Sequence, residues 1–169
     1  GGLAALAALL LLPAGASAAV LIHAGRVIDG VSDEVRRALT IVVDGNLIVA
    51  VRRGYSSPGP DDTVIDLKDR TVLPGLMDMH THLSSQQGPD TYINRFQQEE
   101  ADYAYRAAHY ARLNLMAGFT TVRDLGDRYN VTVALRKAIA RGDVPGPRIY
   151  TSAKSIATTG GHADPTNGW

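Results

Sequence analysis

Cysteine is the most informative absence in this chain of 169 residues. Without it the protein has no disulfide bonds, no thiolate metal sites and no cysteine nucleophile, so any metal ligands have to be His, Asp or Glu. An excess of charge is also missing, because Lys plus Arg and Asp plus Glu both number 17. The sequence therefore predicts neither a nucleic-acid partner nor an acidic tail. A hydrophobic content of 45% and a charged content of 20% are typical of a protein with a globular core.

Long apolar runs are scarce, and the main one is at the start of the chain. Leu3–Leu12 contains only Leu and Ala, and the small-residue motif Ala16-Ser17-Ala18 follows it. This run is shorter than the roughly 20 residues of a membrane span, and the motif after it is typical of a secretory signal peptide. We expect residues 1–18 to be a signal peptide that is cleaved after Ala18. The mature protein would then be exported, periplasmic or secreted, with no stable membrane anchor. A buried N-terminal helix is the alternative.

Residues 19–70 show a β pattern. Asp44-Gly45-Asn46 lies between two apolar runs and predicts a hairpin. These strands are too few to close a sheet, so we expect part of a small β domain. The predicted strands are Val20–Ile22, Val27–Ile28, Leu39–Val43, Leu47–Val51 and Val64–Leu67.

Residues 71–169 alternate between strand and helix patterns. Gly118 and Gly142 are placed to end two helices. Strands that alternate with helices over short connections predict a parallel sheet. The predicted order is strand Val72–Met79 with a break at Pro74-Gly75, polar loop Ser84–Asn94, helix Gln97–Ala117, strand Phe119–Leu125, helix Val131–Ala140 and strand Arg148–Ser152. On the first helix, the packing face is expected to include Ala101, Ala104, Ala108, Ala111 and Leu115.

Two of the five histidines lie two positions apart, at the end of the first strand of this region. Side chains alternate along a strand, so His80 and His82 project to the same face, about 7 Å apart at Cα. At the carboxyl end of a parallel strand the two imidazoles can converge on one metal ion, which would activate water and polarise a carbonyl oxygen. The alternative is a pair of histidines bonded to backbone. Asp78 is expected to fix the backbone that carries them.

Three further residues are candidates for the same region. His162 follows Gly160-Gly161 and is expected to contact substrate or orient the metal site, or else to cap a turn. Asp124 ends a strand and could accept a hydrogen bond from a ligand histidine. Alternatively, it could stabilise a helix N-terminus or pair with Arg123 or Arg128. Lys154 is expected to be a solvated loop lysine. Structural or exposed positions are expected for His23 and His109, and packing positions for Tyr103, Tyr105 and Tyr110.

Several motifs of residues 19–169 resemble the start of the amidohydrolase superfamily of metal-dependent hydrolases. Pro-Gly followed by Asp-x-His-x-His is typical of the superfamily. The stretch around His162 resembles the branch of exported, prolidase-like dipeptidases that is similar to imidazolonepropionases. The motifs are VIDG (Val27–Gly30), IVVDGNLIVAV (Ile41–Val51), VIDLKDRTVLPGLMDMHTHL (Val64–Leu83), AGFTTVRDLGD (Ala117–Asp127) and GPRIYTSAKSIATTGGHADPTNG (Gly146–Gly168).

The resemblance implies an α/β fold. Residues 71–169 would be the first three β/α units of a (β/α)₈ TIM-like barrel, preceded in residues 19–70 by part of a small β-sandwich. His80 and His82 would be metal ligands. A carboxylated lysine, two further histidines and the aspartate that serves as general base would lie beyond Trp169, so the chain would be an N-terminal fragment that is inactive alone.

The reaction implied is hydrolysis of the peptide bond of dipeptides, Xaa-Pro or Xaa-basic, by a hydroxide activated by a divalent metal, with two zinc ions expected. One alternative is a cyclic-amide hydrolase or deaminase of the imidazolonepropionase type. A second is a homologue that binds a metal or ligand without turnover. In every case the expected partner is a small molecule.

Overall fold

The computed structural model describes residues 18–164. The predicted signal peptide, apart from Ala18, lies outside these residues. The chain divides into two compact units, one ending at Pro74 and the other beginning at Gly75. None of the helices in the described range is long and apolar enough to cross a membrane.

The first unit is a four-stranded mixed sheet. Its strands are β1 (Val20–Val27), β2 (Arg36–Asp44), β3 (Leu47–Arg53) and β4 (Thr63–Val72), in the order β3-β2-β1-β4. β1 pairs parallel to β4 and antiparallel to β2, and β2 pairs antiparallel to β3. The predicted β pattern is therefore confirmed.

Gly25 explains why β1 is one continuous strand rather than the two short strands predicted on either side of it. A Cβ atom at Gly25 would lie 2.0 Å from the carbonyl oxygen of Lys68 in β4. Only glycine allows this close approach of the two backbones. The register between β1 and β4 shifts at the same place, between Ala24 and Arg26.

The Asp-Gly hairpin is confirmed. Asp44 pairs directly with Leu47, and Gly45 in the turn has φ +57°, as the tight turn requires. The core of this unit is small and contains Ala24, Val27, Leu39 and Ile41.

Ala19, the residue before β1, is hydrogen-bonded to the loop that precedes β4. The backbone N–H of Ala19 donates to Asp62 Oδ1 at 2.9 Å, and Thr63 N donates to the Ala19 carbonyl at 2.9 Å. Asp62 Oδ2 accepts from Gly59 N at 2.8 Å. The amides of Gly59 and Ala19 lower the pKa of the Asp62 carboxyl, because both hydrogen bonds favour its charged form.

The second unit is a three-stranded sheet with helices between its strands. β5 (Leu76–Thr81), β6 (Phe119–Asp124) and β7 (Arg148–Thr151) are parallel and lie in the order β5-β6-β7. α1 (Thr91–Gln97) and α2 (Glu100–Met116) follow β5, and α3 (Val131–Arg141) follows β6. The predicted parallel β/α arrangement is confirmed, and it places the carboxyl ends of the three strands at one edge.

Two predicted boundaries change. The strand predicted over Val72–Met79 is two strands in different units, because β4 ends at Val72 and β5 begins at Leu76. Thr71 and Val72 pair with Arg26 and Val27 of β1, so the division between units follows Pro74 rather than Arg70.

The predicted loop Ser84–Asn94 is also shorter than expected, because α1 begins at Thr91. α2 begins at Glu100, three residues after the predicted start of its helix. Glu99 and Asp102 form a capping box there, in which Glu99 N donates to Asp102 Oδ2 at 2.9 Å.

The buried face of α2 differs in part from the predicted one. Ala111 is buried, and Ala104 and Ala108 pack against the core, as predicted. Tyr103 is buried in the packing role predicted for it, whereas the burial of Ala107 was not predicted. Ala101 is exposed. Tyr105, predicted to pack, is 80% exposed, because it lies two positions from Tyr103 and so on another side of the helix.

Candidate metal centre

His80 lies in β5 and His82 directly follows that strand. Their ring centroids are 5.6 Å apart with an interplanar angle of 67°, and both residues are exposed. The Asp78 carboxylate accepts the backbone N–H of His80 at 3.0 Å, which is the backbone-fixing role predicted for it. The geometry thus brings two imidazoles together at the carboxyl end of β5.

A backbone carbonyl orients the His82 ring. His82 Nδ1 lies 3.0 Å from the carbonyl oxygen of Gly126, in the loop after β6. A carbonyl can only accept, so Nδ1 carries the proton. In the neutral ring Nε2 then keeps a free lone pair, which is the state of a histidine that binds a metal.

Only glycine fits at position 126. Its φ is +133°, and a Cβ atom there would lie 2.4 Å from Ser155 Oγ and 2.7 Å from Ser155 N. Part of this obstruction is backbone, so the loop after β7 would have to move to admit a side chain. The carbonyl that orients His82 therefore depends on the absence of a side chain.

Asp124, the last residue of β6, is fully buried. Its Oδ2 accepts the N–H of Leu83 at 2.7 Å, and its Oδ1 accepts the N–H of Gly126 at 3.0 Å. Burial raises the pKa of this carboxyl, against the lowering effect of the two amides. Asp124 thereby joins the residue after His82 to the residue whose carbonyl orients His82.

The predicted partners of Asp124 were wrong. Among residues 18–164 the carboxylate bonds neither a histidine ring nor Arg123 or Arg128. Arg123 projects away from it and donates its Nε to the Met79 carbonyl at 2.7 Å. Alternation along β6 places neighbouring side chains on opposite faces, which explains why Arg123 cannot reach it.

Asp127 is a structural residue that the sequence analysis missed. Its carboxylate accepts the backbone N–H groups of Tyr129, Val131 and Thr132 at 2.9, 3.1 and 2.9 Å, and also the Thr132 hydroxyl. It therefore caps the first turn of α3 and fixes the loop that carries Gly126. The usual capping signal is at the residue directly before the helix, which is Asn130 here, so the position of Asp127 gave no signal of this role.

His82 and His162 line the same cleft, of about 260 Å³. Of the three predicted site histidines, His80 does not line this cleft, and the buried Asp124 does not line it either. Lys154 is exposed and pairs through its backbone with Asp127, in keeping with a loop lysine.

In the first unit, His23 is buried with Nε2 3.0 Å from the Ser56 carbonyl. His109 is exposed on α2.

Parallel β/α units with paired histidines at the end of their first strand are consistent with the start of an α/β barrel. Residues 71–167 match the amidohydrolase family model. The chain belongs to the amidohydrolase family, whose members are hydrolases that generally bind divalent metals.

Two solved structures are similar to this chain. One is a Xaa-Pro dipeptidase with methionine bound in its active site, 47% identical with a TM-score of 0.80, over 90% of this chain and 37% of that one. The other is a prolidase complexed with N-methylphosphonate-L-proline, 31% identical with a TM-score of 0.73, over 85% of this chain and 34% of that one. These likenesses confirm the predicted α/β-barrel fold class.

A curated relative is the ochratoxinase of Aspergillus niger, 32% identical over 85% of this chain and 30% of the relative. The chain thus spans about a third of the length of the proteins that it matches.

Proposed function

We propose that the complete protein hydrolyses the peptide bond of dipeptides with the help of divalent metal held in part by His80 and His82. The observation that carries this proposal is the hydrogen bond from His82 Nδ1 to the Gly126 carbonyl, with the His80 ring beside it. Both residues are exposed, and this bond to backbone leaves the Nε2 atom of His82 on the opposite side of the ring. The likeness to a Xaa-Pro dipeptidase at 47% identity supports the choice of substrate.

The side chains of His80 and His82 are of a type that binds divalent metals. Imidazole nitrogen is a preferred ligand of zinc and of similar ions, and His82 is held in the tautomer that leaves Nε2 available. Within residues 18–164, however, no three His, Cys, Asp or Glu side chains are grouped to share an ion. We therefore propose that the remaining ligands, including a carboxylated lysine and the general base, belong to a longer chain. Such an ion would polarise the amide carbonyl and lower the pKa of a water molecule.

The residues of this chain would act by positioning. His80 and His82 fix the metal at the end of β5. Gly126 and the buried Asp124 hold the His82 ring from beneath. His162 lies across the cleft from this assembly, within reach of a small molecule.

Metal stoichiometry tests the proposal. We expect the full-length protein to contain two zinc ions per chain, and the His80→Ala and His82→Ala variants to lose at least one of them. His109→Ala is the matched control, because His109 is exposed on α2 and does not line the cleft. One metal in the wild type would favour the cyclic-amide hydrolase or deaminase alternative. If zinc supplied in excess leaves the wild type without bound metal, the hydrolase proposal is wrong.

We also propose that the protein is exported and that the 169-residue chain alone is inactive. Export rests on the Leu3–Leu12 run and the Ala16-Ser17-Ala18 motif. N-terminal sequencing of protein recovered outside the cytoplasm should begin at Ala19. For the isolated chain, we expect no dipeptide hydrolysis, because only two histidine ligands are assembled in the described residues.

A further inference from the structure

The cleft beside His82 is lined by three arginines from three different segments. Arg95 lies in the last turn of α1, Arg106 in α2 and Arg128 in the loop before α3. None of the three forms an ion pair with a carboxylate within residues 18–164, where the recorded ion pairs involve other side chains. Three arginines that line one cleft without an ion-pair partner favour the binding of an anion there.

The carboxylates that line the cleft are already engaged by backbone. Asp127 is bonded to the amides of α3, and Asp164 accepts the N–H of Gly160 at 2.8 Å. These hydrogen bonds direct both acids toward loop and helix backbone.

Partial burial distinguishes two of the three arginines, and one of these two also contacts an aromatic ring. Arg106 and Arg128 are half-buried, whereas Arg95 is exposed. The Arg128 guanidinium lies 5.6 Å from the centre of the Tyr129 ring, and that ring packs against buried Tyr103 at 5.3 Å between centroids. A stacked, partly desolvated guanidinium loses little freedom when it binds a carboxylate, and its planar fork matches both oxygens.

We propose that Arg106 and Arg128 bind a free carboxylate of the substrate, on the side of the scissile amide that becomes the released amino acid. The proposal rests on the hydrolase function proposed above and narrows its substrates to acylated amino acids, among them dipeptides with a free C-terminus. Neutral amides, ureas and cyclic amides without a carboxylate would lack this anchor. Arg106 and Arg128 are thus substrate-binding residues, distinct from the histidines that hold metal.

The test compares a substrate acid with its own amide in the full-length, metal-loaded protein. One substrate is an Ala-Pro dipeptide with a free carboxylate and the other is Ala-Pro with a C-terminal carboxamide. For the acid, we expect R106Q and R128Q to lower kcat/KM by about tenfold to a hundredfold, mainly through KM, since each removes a hydrogen bond to a charged group. For the carboxamide, the same variants should change kcat/KM by less than about twofold. R112Q is the control, because Arg112 is exposed on α2 outside the cleft.

Binding without turnover separates this proposal from the proposed function. L-Proline, which has no acyl–nitrogen bond to cleave, should bind the wild type more tightly than L-prolinamide does in calorimetry, and R106Q and R128Q should abolish the difference while metal content stays unchanged. A wild type that binds the acid selectively but cleaves neither dipeptide would support the arginine site and contradict the dipeptidase function. Equal losses for acid and amide, or no loss for either, would overturn the arginine site.

Discussion

The buried carboxylate of Asp124 offers the most direct test of how the histidine site is supported. Asp124→Ala removes the acceptor of two backbone amides, those of Leu83 and Gly126. A buried N–H left without a partner costs about 1–3 kcal/mol, so two of them cost about 2–6 kcal/mol. A domain has about 5–15 kcal/mol of stability in total, and the loss should therefore be plain in a urea denaturation curve.

The same substitution should weaken metal binding. Leu83 and Gly126 lie on either side of the His82 ring, one next to it in sequence and one bonded to its Nδ1. Loss of a group that orients a ligand histidine typically lowers metal affinity about 10- to 100-fold. Zinc affinity of the full-length protein, measured by competition with a chromophoric chelator, should fall by that factor in Asp124→Ala.

Two variants make this test specific. Asp143→Ala removes an exposed carboxylate paired with Arg141 at 2.7 Å, and should cost less than about 1 kcal/mol with no effect on zinc. Asp124→Asn keeps one acceptor but places an NH₂ group against the second amide, so its stability and zinc affinity should fall between those of wild type and Asp124→Ala. If Asp124→Ala unfolds at the same urea concentration as Asp143→Ala, or loses stability with no change in zinc affinity, the supporting role of Asp124 is refuted.

Three further predictions concern other parts of the structure. Gly126→Ala should weaken zinc binding at least tenfold, because its φ of +133° and the facing loop leave no room for a Cβ atom, whereas Gly88→Ala, with open space around it, should not. Asp62→Asn should lower stability above about pH 4 and have less effect as the pH falls further. The reason is that the Asp62 carboxyl, whose pKa is lowered in the fold, stabilises the protein only while it is charged. Acid denaturation of this variant, with Asp61→Asn as control, checks the prediction. Chelation should lower the Tm of the full-length wild type more than that of its His82→Ala variant.

Local patterns in the sequence predicted the strands, two of the helices and the paired histidines. Strand alternation placed His80 and His82 on one face, and the Asp-Gly pair at Asp44 and Gly45 predicted the hairpin. Each of these features depends on residues a few positions apart. Short-range sterics and hydrophobic periodicity are sufficient to produce them.

α1 was missed because it has no buried face. Tyr92, Ile93 and Phe96 are all more than 45% exposed, and none of the helix residues is buried. A helix of seven residues is too short for its apolar spacing to be distinguished from that of a loop. Its Gly88-Pro89-Asp90 lead-in is equally typical of a loop.

The support of His82 was missed for a different reason. Gly126 and Asp124 are more than 40 positions away from His82 and Leu83 in sequence, and they meet only because β5 and β6 pair in a particular parallel register. Both residues can be read from the sequence, but the contact that each makes across the two strands cannot. An aspartate at a strand end is equally compatible with an ion pair, which was the wrong part of the prediction for Asp124.

The hydrogen bond between Ala19 and Asp62 has a consequence for maturation. In the unprocessed chain the donor is a neutral amide at 2.9 Å from Asp62 Oδ1. Cleavage after Ala18, as proposed for export, turns that nitrogen into a new terminal ammonium group directly opposite a carboxylate. The hydrogen bond between Ala19 and Asp62 then joins two charged groups, at the point where the pairing of β1 with β4 begins. Proteolytic removal of the leader would thus strengthen the link between β1 and the loop before β4. The Asp62 carboxylate would in turn raise the pKa of the new terminal amino group.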